Sequence, residues 1–412
     1  MTVETDAAHG ALSEEERREF VASATAFLEA NAPRRPGVGS GARAWGEGPE
    51  ISLMAHRDDV HEQLATARRW RALVFDAGFG WLGGPPAYGG GGRHPDLDHE
   101  YRRLEADFDV PDQSAWQVAW EMVAPAVLVH GSEDLKLRYL RRIMRGELLC
   151  SQLLSEPEAG SDLASLRTRA VRDGDEWVVD GQKVWSSYAH LADLGQLMAR
   201  TDPEAPKHQG ISMFLLPMDT PGVEPRPLRQ MNGNAEFNEV FLTNVRVPHA
   251  NLVGEAGGGW RAVLTTLMSE RRAVGSGSAS TIDPVQLLTD LAQHVARAGD
   301  PVVRQQLARA HTNRRLLQWL GMRLAESVAA GAALGPEGSI MKLLANANNR
   351  LIGGLAGSLL GPSMTADTGA WGTYAWANFL CSAPGLRIAG GTDEIQHNIL
   401  GERVFGLPRE PS

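Results

Sequence analysis

Cysteine is nearly absent: a chain of 412 residues holds two, Cys150 and Cys381, far apart in sequence. That scarcity excludes a disulfide framework and a cysteine-based metal site, and it makes the reducing cytoplasm the expected compartment. Both thiols read as small hydrophobes, and no metal is expected. Long apolar runs are lacking as well, since none approaches the roughly 18 residues needed to span a bilayer. The start, Met1-Thr2-Val3-Glu4-Thr5-Asp6, is acidic and has no apolar signal core. Positive charge is not in excess either. Lys and Arg total 40 against 50 Asp and Glu, a formal net charge of −10, which argues against nonspecific binding to nucleic acid or a membrane surface. The basic pairs Arg17-Arg18, Arg141-Arg142 and Arg314-Arg315 fall in helix-like segments and read as solvated helix faces. No internal repeat or low-complexity tract is present.

What is there is the composition of a soluble globular protein, 43% hydrophobic and 22% charged. The length suggests two or three domains. Ser13 and Glu16 form a capping box ahead of Phe20, Val21, Ala24, Phe27 and Leu28 at helical spacing. Helical character returns at 60–75, 116–129 and 135–144. Between them, the Gly/Pro-rich stretches 35–49 and 80–92 read as loops. From about residue 148 the period becomes strand-like. Two Asp-Gly pairs, Asp173-Gly174 and Asp180-Gly181, punctuate β-prone runs and read as hairpin turns. Further strands are expected at 211–216 and 237–247. After Trp260 the pattern is helical to the end, with long apolar-periodic stretches at 302–324, 340–360 and 395–407. The expected fold class is α+β: an N-terminal helical domain (1–147), a central antiparallel β domain (148–256) and a C-terminal helical bundle (257–412).

Four segments could carry chemistry. In the stretch Ser155-Glu156-Pro157-Glu158-Ala159-Gly160-Ser161-Asp162, proline and glycine force an irregular backbone that gathers hydroxyls and loop N–H groups. Such a loop can bind a heterocycle edge and a phosphate, or can simply be a surface turn that caps a helical turn after Ser161. Lys183-Val184-Trp185-Ser186-Ser187 reads either as core plus strand edge or as a ligand-flanking strand. Gly390-Gly391-Thr392-Asp393-Glu394 opens a helix with Thr392 as N-cap and two carboxylates in the first turn. Capping alone accounts for those side chains, while the glycines allow close approach of backbone to a ligand. Glu270, followed by Arg271 and Arg272, reads as an ion-pair partner or, if buried, as a base with a raised pKa.

These segments, in this order and with the connector 237–254, resemble an acyl-CoA dehydrogenase over essentially residues 13–409. The α–β–α order is that family's arrangement, in which FAD lies between the β domain and the C-terminal bundle. The resemblance implies that Gln152, Leu154, Ser155, Gly160 and Ser161 hold the flavin's pyrimidine edge, with Ser161 also touching the acyl-CoA. It implies that Trp185, Ser186 and Ser187 flank the isoalloxazine, that Thr392 and Glu394 lie beside the FAD, and that Gly390 and Gly391 present a backbone N–H to the thioester carbonyl. Many relatives carry the catalytic glutamate where this chain has Gly390. Others place it before an arginine on an earlier helix, the position of Glu270, which makes Glu270 the expected base and Arg271 its steadying or ligand-binding neighbour. The activity so implied is FAD-dependent α,β-dehydrogenation of an acyl-CoA or acyl-carrier thioester, with electrons passed to an electron-transfer flavoprotein by a homodimer or homotetramer. Three departures stand out. No Arg-Gln-x-Phe-Gly stretch occurs in 272–305, Leu359-Leu360-Gly361-Pro362 replaces a common Gly-Gly, and Met268 stands where some relatives have aspartate. Two other readings fit the same residues: a flavin oxidase or monooxygenase of this fold, and a non-catalytic subunit of a heteromeric acyl-CoA dehydrogenase.

Overall fold

A computed structural model describes residues 12–35, 60–275, 283–329, 335–366 and 373–409. The chain forms two compact units. The first comprises the described residues up to Arg229 together with Ala235–Ser269, and the second comprises Gln230–Asn234 and the described residues from Glu270 onward.

The first unit opens with helices α1 (Glu14–Asn31), α2 (Val60–Asp76), α3 (Asp96–Glu105), α4 (Ala124–His130) and α5 (Glu133–Met144). The expected cap of α1 is present: Ser13 Oγ accepts from the Glu16 N–H at 3.1 Å, satisfying one of the helix's free amides. The stretch expected as one helix over 116–129 is broken in three, a 3₁₀ turn at Ser114–Trp116, a π turn at Ala119–Val123 and then α4. Pro125 has no N–H to give to the residue four before it, so the regular ladder cannot run through this point.

Eight strands form one sheet: β1 (Cys150–Leu153), β2 (Arg169–Asp173), β3 (Glu176–Ser187), β4 (Leu194–Arg200), β5 (Ile211–Pro217), β6 (Val223–Pro227), β7 (Phe237–Pro248) and β8 (Leu252–Val253). Their order is β6-β7-β3-β2-β4-β5-β8, with β1 on β4. Five of the seven strand pairings are antiparallel, as expected of a central antiparallel domain. Only β1 and the end of β2 run parallel to β4. Asp173-Gly174 is the hairpin turn, with Gly174 at φ +60°. Asp180-Gly181 is not a turn but a register shift within β3. There Gly181 lets the chain pass Thr168, whose Cα would stand 2.8 Å from an added Cβ, so closeness of approach and not a reversal explains the glycine.

Strands β4 and β5 are buried on both faces. Leu194, Met198, Met213 and Leu215 pack with Leu135, Leu140 and Ile143 of α5, while Leu197, Phe214 and Leu216 face Trp177, Val245 and Val247. A strand apolar on both sides shows no alternation, which is why β4 leaves no clear strand signature in the sequence.

Helix α6 (Gly259–Gly275) contains the boundary between the units. The second unit holds α7 (Pro284–His294), α8 (Pro301–Ala329), α9 (Glu337–Leu360), α10 (Thr373–Ile388) and α11 (Asp393–Arg403). Its core is formed by Leu288, Leu291, Ile352, Leu355, Trp376 and Phe379. Helix α11 stops at Arg403, short of the expected 407, where Gly406 takes φ +66° and Pro408 follows. Among the described residues no helix is long and apolar enough to cross a membrane.

Candidate active site

In the first unit the loop after β1 is tied to β3 by a buried ion pair that no local sequence pattern announces. Glu156 is 8% exposed and Lys183 fully buried, with Lys183 Nζ donating to Glu156 Oε1 at 2.8 Å and to the Leu154 carbonyl at 3.0 Å. The remaining capacity of Glu156 is taken by the N–H groups of Thr168 (2.8 Å) and Arg167 (2.6 Å). Burial pushes the Glu156 carboxyl up, but the Lys183 charge and these donors outweigh it and hold the group below its ordinary value. Burial pushes Lys183 down, to about 8, against the pull of Glu156. Glu156 and Ala159 exchange both backbone bonds, at 3.1 and 3.0 Å, closing the tight turn around Pro157. The Val184 N–H donates to the Ser155 carbonyl at 2.9 Å, which brings Ser155 alongside the strand segment that leads to Trp185.

That segment is irregular where chemistry was expected. The β3–β7 register shifts between Lys183 and Ser186, and Trp185 takes a left-handed φ of +62° with its side chain 61% exposed. A bulky residue held in this region stores strain, a feature that clusters at ligand sites. Trp185 packs edge-on against Phe237 at 6.2 Å. Behind it, the buried Asn238 donates to the carbonyls of Ser186 and Glu236, both at 3.0 Å, and its Oδ1 lies 2.9 Å from His190 Nδ1. Because Asn238 uses its amide hydrogens on those carbonyls, His190 is the donor in the last bond. Asn238 and His190 thus hold the bulge open.

Gln152 Nε2 and Ser186 Oγ are buried here without a hydrogen-bond partner among the described residues. Ser155 and Ser187 are half-buried, and Gly160 and Ser161 are exposed. At Gly160 an added Cβ would meet nothing within 4 Å, so open space lies beside the loop. Ser161 caps nothing. Asp162 precedes the 3₁₀ turn Leu163–Ser165 and is pinned by Lys207 at 2.9 Å and by the Ser165 hydroxyl. An exposed indole on strained backbone, an amide donor without a partner among the described residues, and the hydroxyls of Ser155, Ser186 and Ser187 form a donor set that fits the polar edge and flat face of a flavin.

In the second unit, Thr392 caps α11, its Oγ1 accepting from the Ile395 N–H at 3.2 Å. Gly390 and Gly391 take φ of +65° and +88°, a conformation that favours glycine. Asp393, expected only to complement the dipole, is instead buried and accepts from Asn346 Nδ2 and Arg387 Nε, each at 2.7 Å. Burial raises its pKa, but these two donors and the Arg387 charge bring it below the ordinary carboxylate value. Glu394 is exposed. Lys342 of α9 donates to the carbonyls of Ala389 and Gly391, and Gln396 of α11 donates to those of Gly390 and Gly391 at 3.1 Å each. The Gly390 and Gly391 N–H groups have no acceptor among the described residues.

Each unit therefore gathers its own set: Gln152, Leu154, Ser155 and Trp185–Ser187 in the first, Gly390, Gly391, Thr392 and Glu394 in the second. Glu270 and Arg271 belong to α6, and their side chains lie outside the described residues. Glu156, Lys183, Asn238, Lys342 and Gln396 were not foreseen as site residues. Lys342 did leave a signal, a charge inside the apolar run Ile340-Met341-Lys342-Leu343-Leu344, since buried lysines are rare unless partnered.

Comparison with known proteins supports the same assignment. Residues 151–245 match the family model "Acyl-CoA dehydrogenase, middle domain" and residues 257–405 match "Acyl-CoA dehydrogenase, C-terminal domain". Over 358 residues the chain is 37% identical to acyl-CoA dehydrogenase IpdE1 of Mycobacterium tuberculosis, covering 85% of this chain and 90% of that protein. Among solved structures, the Tcur3481-Tcur3483 steroid ACAD aligns with a TM-score of 0.73 at 26% identity, over 98% of this chain and 100% of that one. The ChsE4-ChsE5 complex from M. tuberculosis aligns with a TM-score of 0.70 at 28% identity, over 98% and 100%. With an α–β–α order, two family models covering its second and third segments and a relative 37% identical over most of both chains, the chain belongs to the acyl-CoA dehydrogenase family.

Proposed function

We propose that the enzyme removes hydrogen from the α and β carbons of an acyl-CoA or related acyl thioester, with Glu270 as base and FAD as cofactor. The observation that carries this reading is the pairing of an unpartnered amide donor at Gln152 with the exposed Trp185 on its strained bulge, a set that fits an isoalloxazine. Gln152, Leu154, Ser155, Gly160 and Ser161 would meet the polar edge of the cofactor, Trp185 to Ser187 its ring system, and Thr392 and Glu394 other parts of it. When bound, FAD supplies the acceptor for the two electrons and the hydrogen leaving the β carbon. The Glu270 carboxylate takes the α-proton, with Arg271 steadying it or the ligand. The N–H groups of Gly390 and Gly391, which have no acceptor among the described residues, would face the negative charge that grows on the thioester oxygen as that proton leaves. An electron-transfer flavoprotein is the proposed electron acceptor.

The test is direct. Purified protein is expected to be yellow with flavin near one per subunit, and a panel of butyryl-, octanoyl-, isobutyryl- and steroid-side-chain CoA thioesters under anaerobic conditions is expected to include one that bleaches it. Added FAD at about 100 times its dissociation constant should stabilise the fold by about 2.7 kcal/mol. Absence of both binding and heat protection would overturn the reading. Rapid peroxide formation in air would favour an oxidase instead.

The chain is also proposed to work as an oligomer. Leu316, Trp319 and Met322 of α8 stand 43%, 56% and 61% exposed at helical spacing, an apolar stripe that water disfavours. Light scattering at micromolar concentration should give a dimer or tetramer, and a monomer alone would refute it. Two of the similar structures carry two-component names, so a mixed assembly with a related chain is the outcome indicated if the isolated protein lacks flavin.

A further inference from the structure

The turn between α10 and α11 is gripped at three successive carbonyls. Lys342 Nζ donates to the oxygens of Ala389 and Gly391, and Gln396 Nε2 to those of Gly390 and Gly391. All three successive carbonyls are therefore occupied from within the bundle by two side chains. Both side chains are buried: Lys342 is 8% and Gln396 0% exposed. An ammonium at this place also meets the negative end of the α10 dipole. One turn along α9, Asn346 grips Asp393 at 2.7 Å, and Arg387 grips it from the end of α10 at 2.7 Å. The segment 387–396 is thus stapled to α9 at two points one helical turn apart.

The consequence lies on the other side of the peptide planes. A peptide N–H points away from the carbonyl of the same unit, so drawing the carbonyls of residues 389 and 390 toward Lys342 and Gln396 turns the N–H groups of Gly390 and Gly391 outward. Those N–H groups have no acceptor among the described residues. Left-handed φ values at both glycines allow two neighbouring amides to do this together, and a side chain at 391 would press on Gln396 Nε2 at 2.8 Å.

We propose that Lys342 and Gln396 are positioning residues that aim the Gly390 and Gly391 amides at the substrate's thioester oxygen by clamping the carbonyls on the opposite side. Neither side chain touches the substrate. The inference rests on the acyl-thioester reading above, because it presupposes a carbonyl for those amides to meet. Lys342→Met removes one clamp and Gln396→Met the other, each with little change in volume, and Lys342→Arg keeps the charge and donors.

The readout is the infrared carbonyl band of a bound thioester. It uses the 2-enoyl product, ¹³C-labelled at its thioester carbonyl, of whichever panel acyl-CoA reduces the flavin. With wild-type protein the band should shift to lower frequency than in water, as a polarised carbonyl does. In Lys342→Met or Gln396→Met it should return toward the free value. Flavin reduction should slow by about 10- to 100-fold, below the roughly 10²–10³-fold cost of deleting an oxyanion donor outright, while the thioester's dissociation constant changes less than about threefold. Lys342→Arg should recover much of the shift.

A wild-type band that does not move, or a panel in which nothing reduces the flavin, sinks the thioester reading and this inference with it. A shifted wild-type band that persists in both Met variants sinks the clamp alone. If Lys342→Met fails to fold, Gln396→Met and Lys342→Arg carry the same comparison.

Discussion

Glu270→Gln is expected to leave a yellow, folded protein that binds acyl-CoA but reduces its flavin at least about 10²–10⁴-fold more slowly, the cost of losing a general base. Glutamine keeps the shape of the side chain and its capacity for hydrogen bonds, so a structural role would survive the change. The proposed dehydrogenation needs a positioned base because the α-proton of a thioester is weakly acidic, and Glu270 is the candidate because the chain has glycine at the family's other base position. Rapid-mixing absorbance under anaerobic conditions measures the rate, and the thioester's dissociation constant separates binding from chemistry. A variant that reduces flavin at the normal rate would return Glu270 to the role of an ion-pair partner for Arg271 or Arg272. A carboxylate supplied from the other segment, Gly390→Glu in the Glu270→Gln background, has to overcome the left-handed backbone at 390 (φ +65°), which costs a side chain about 1–2 kcal/mol. Recovery of activity there should accordingly be partial at best.

Breaking the buried pair under the loop after β1 should have the largest effect on stability. Glu156→Gln leaves the Lys183 ammonium, 0% exposed, without a compensating charge: the Leu154 carbonyl and the glutamine oxygen can accept from it, but neither is anionic. Removing one member of a buried pair costs about 3–5 kcal/mol, because the other charge is left without compensation. The ammonium can escape only by losing its proton, which at neutral pH is itself costly for a group that ordinarily titrates near 10.5. Denaturant midpoints of the flavin-free protein measure the loss. Flavin retention should fall as well, since the pair ties Leu154 and Glu156 to β3. The double variant Glu156→Gln/Lys183→Met, which removes both charges, should regain most of the stability. If Glu156→Gln alone costs under about 1 kcal/mol, the pair is not the anchor of the loop.

The same pair sets a pH window. The folded-state pKa of Glu156 lies below its ordinary 4.5, so the unfolded chain takes up the proton first as pH falls. The contribution is complete above about pH 4.5 and is lost as pH drops through the depressed folded value. Asp393, held below 3.8 by Arg387 and Asn346, acts in the same direction at slightly lower pH. Melting curves at pH 6 and pH 3.5 should therefore differ more for wild type than for the double variant.

Much of this was legible in the order of residues. Periodicity in a helix depends on neighbours three and four positions apart, so α1, α2, α5, α8 and α9 show in the sequence, and so do the hairpin at Asp173-Gly174 and the cap at Thr392. Strands that alternate, such as β7, are equally plain. The α–β–α order follows from such local signals, whereas the residues named for flavin and substrate come from the resemblance of separate segments to acyl-CoA dehydrogenases. Where a pattern is ambiguous the local signal misleads: β4 is buried on both faces and has no period, and Asp180-Gly181 carries a turn's composition but serves a close backbone approach.

The partners of charged groups were decided only by the tertiary structure. Lys183 finds Glu156 across 27 residues, and Lys342 finds the carbonyls of Ala389 and Gly391 across 47 and 49. A buried ammonium requires an acceptor, but that requirement does not say which, because sequence separation has no bearing on distance once the chain is packed. The left-handed backbone at Trp185 is likewise invisible locally, since an isolated tryptophan disfavours it. It exists because Asn238 and the register of β7 hold both ends of the bulge. Residue type thus announced which chemistry the chain could perform, while the packing of distant segments set the direction in which the amides, the indole and the loop face.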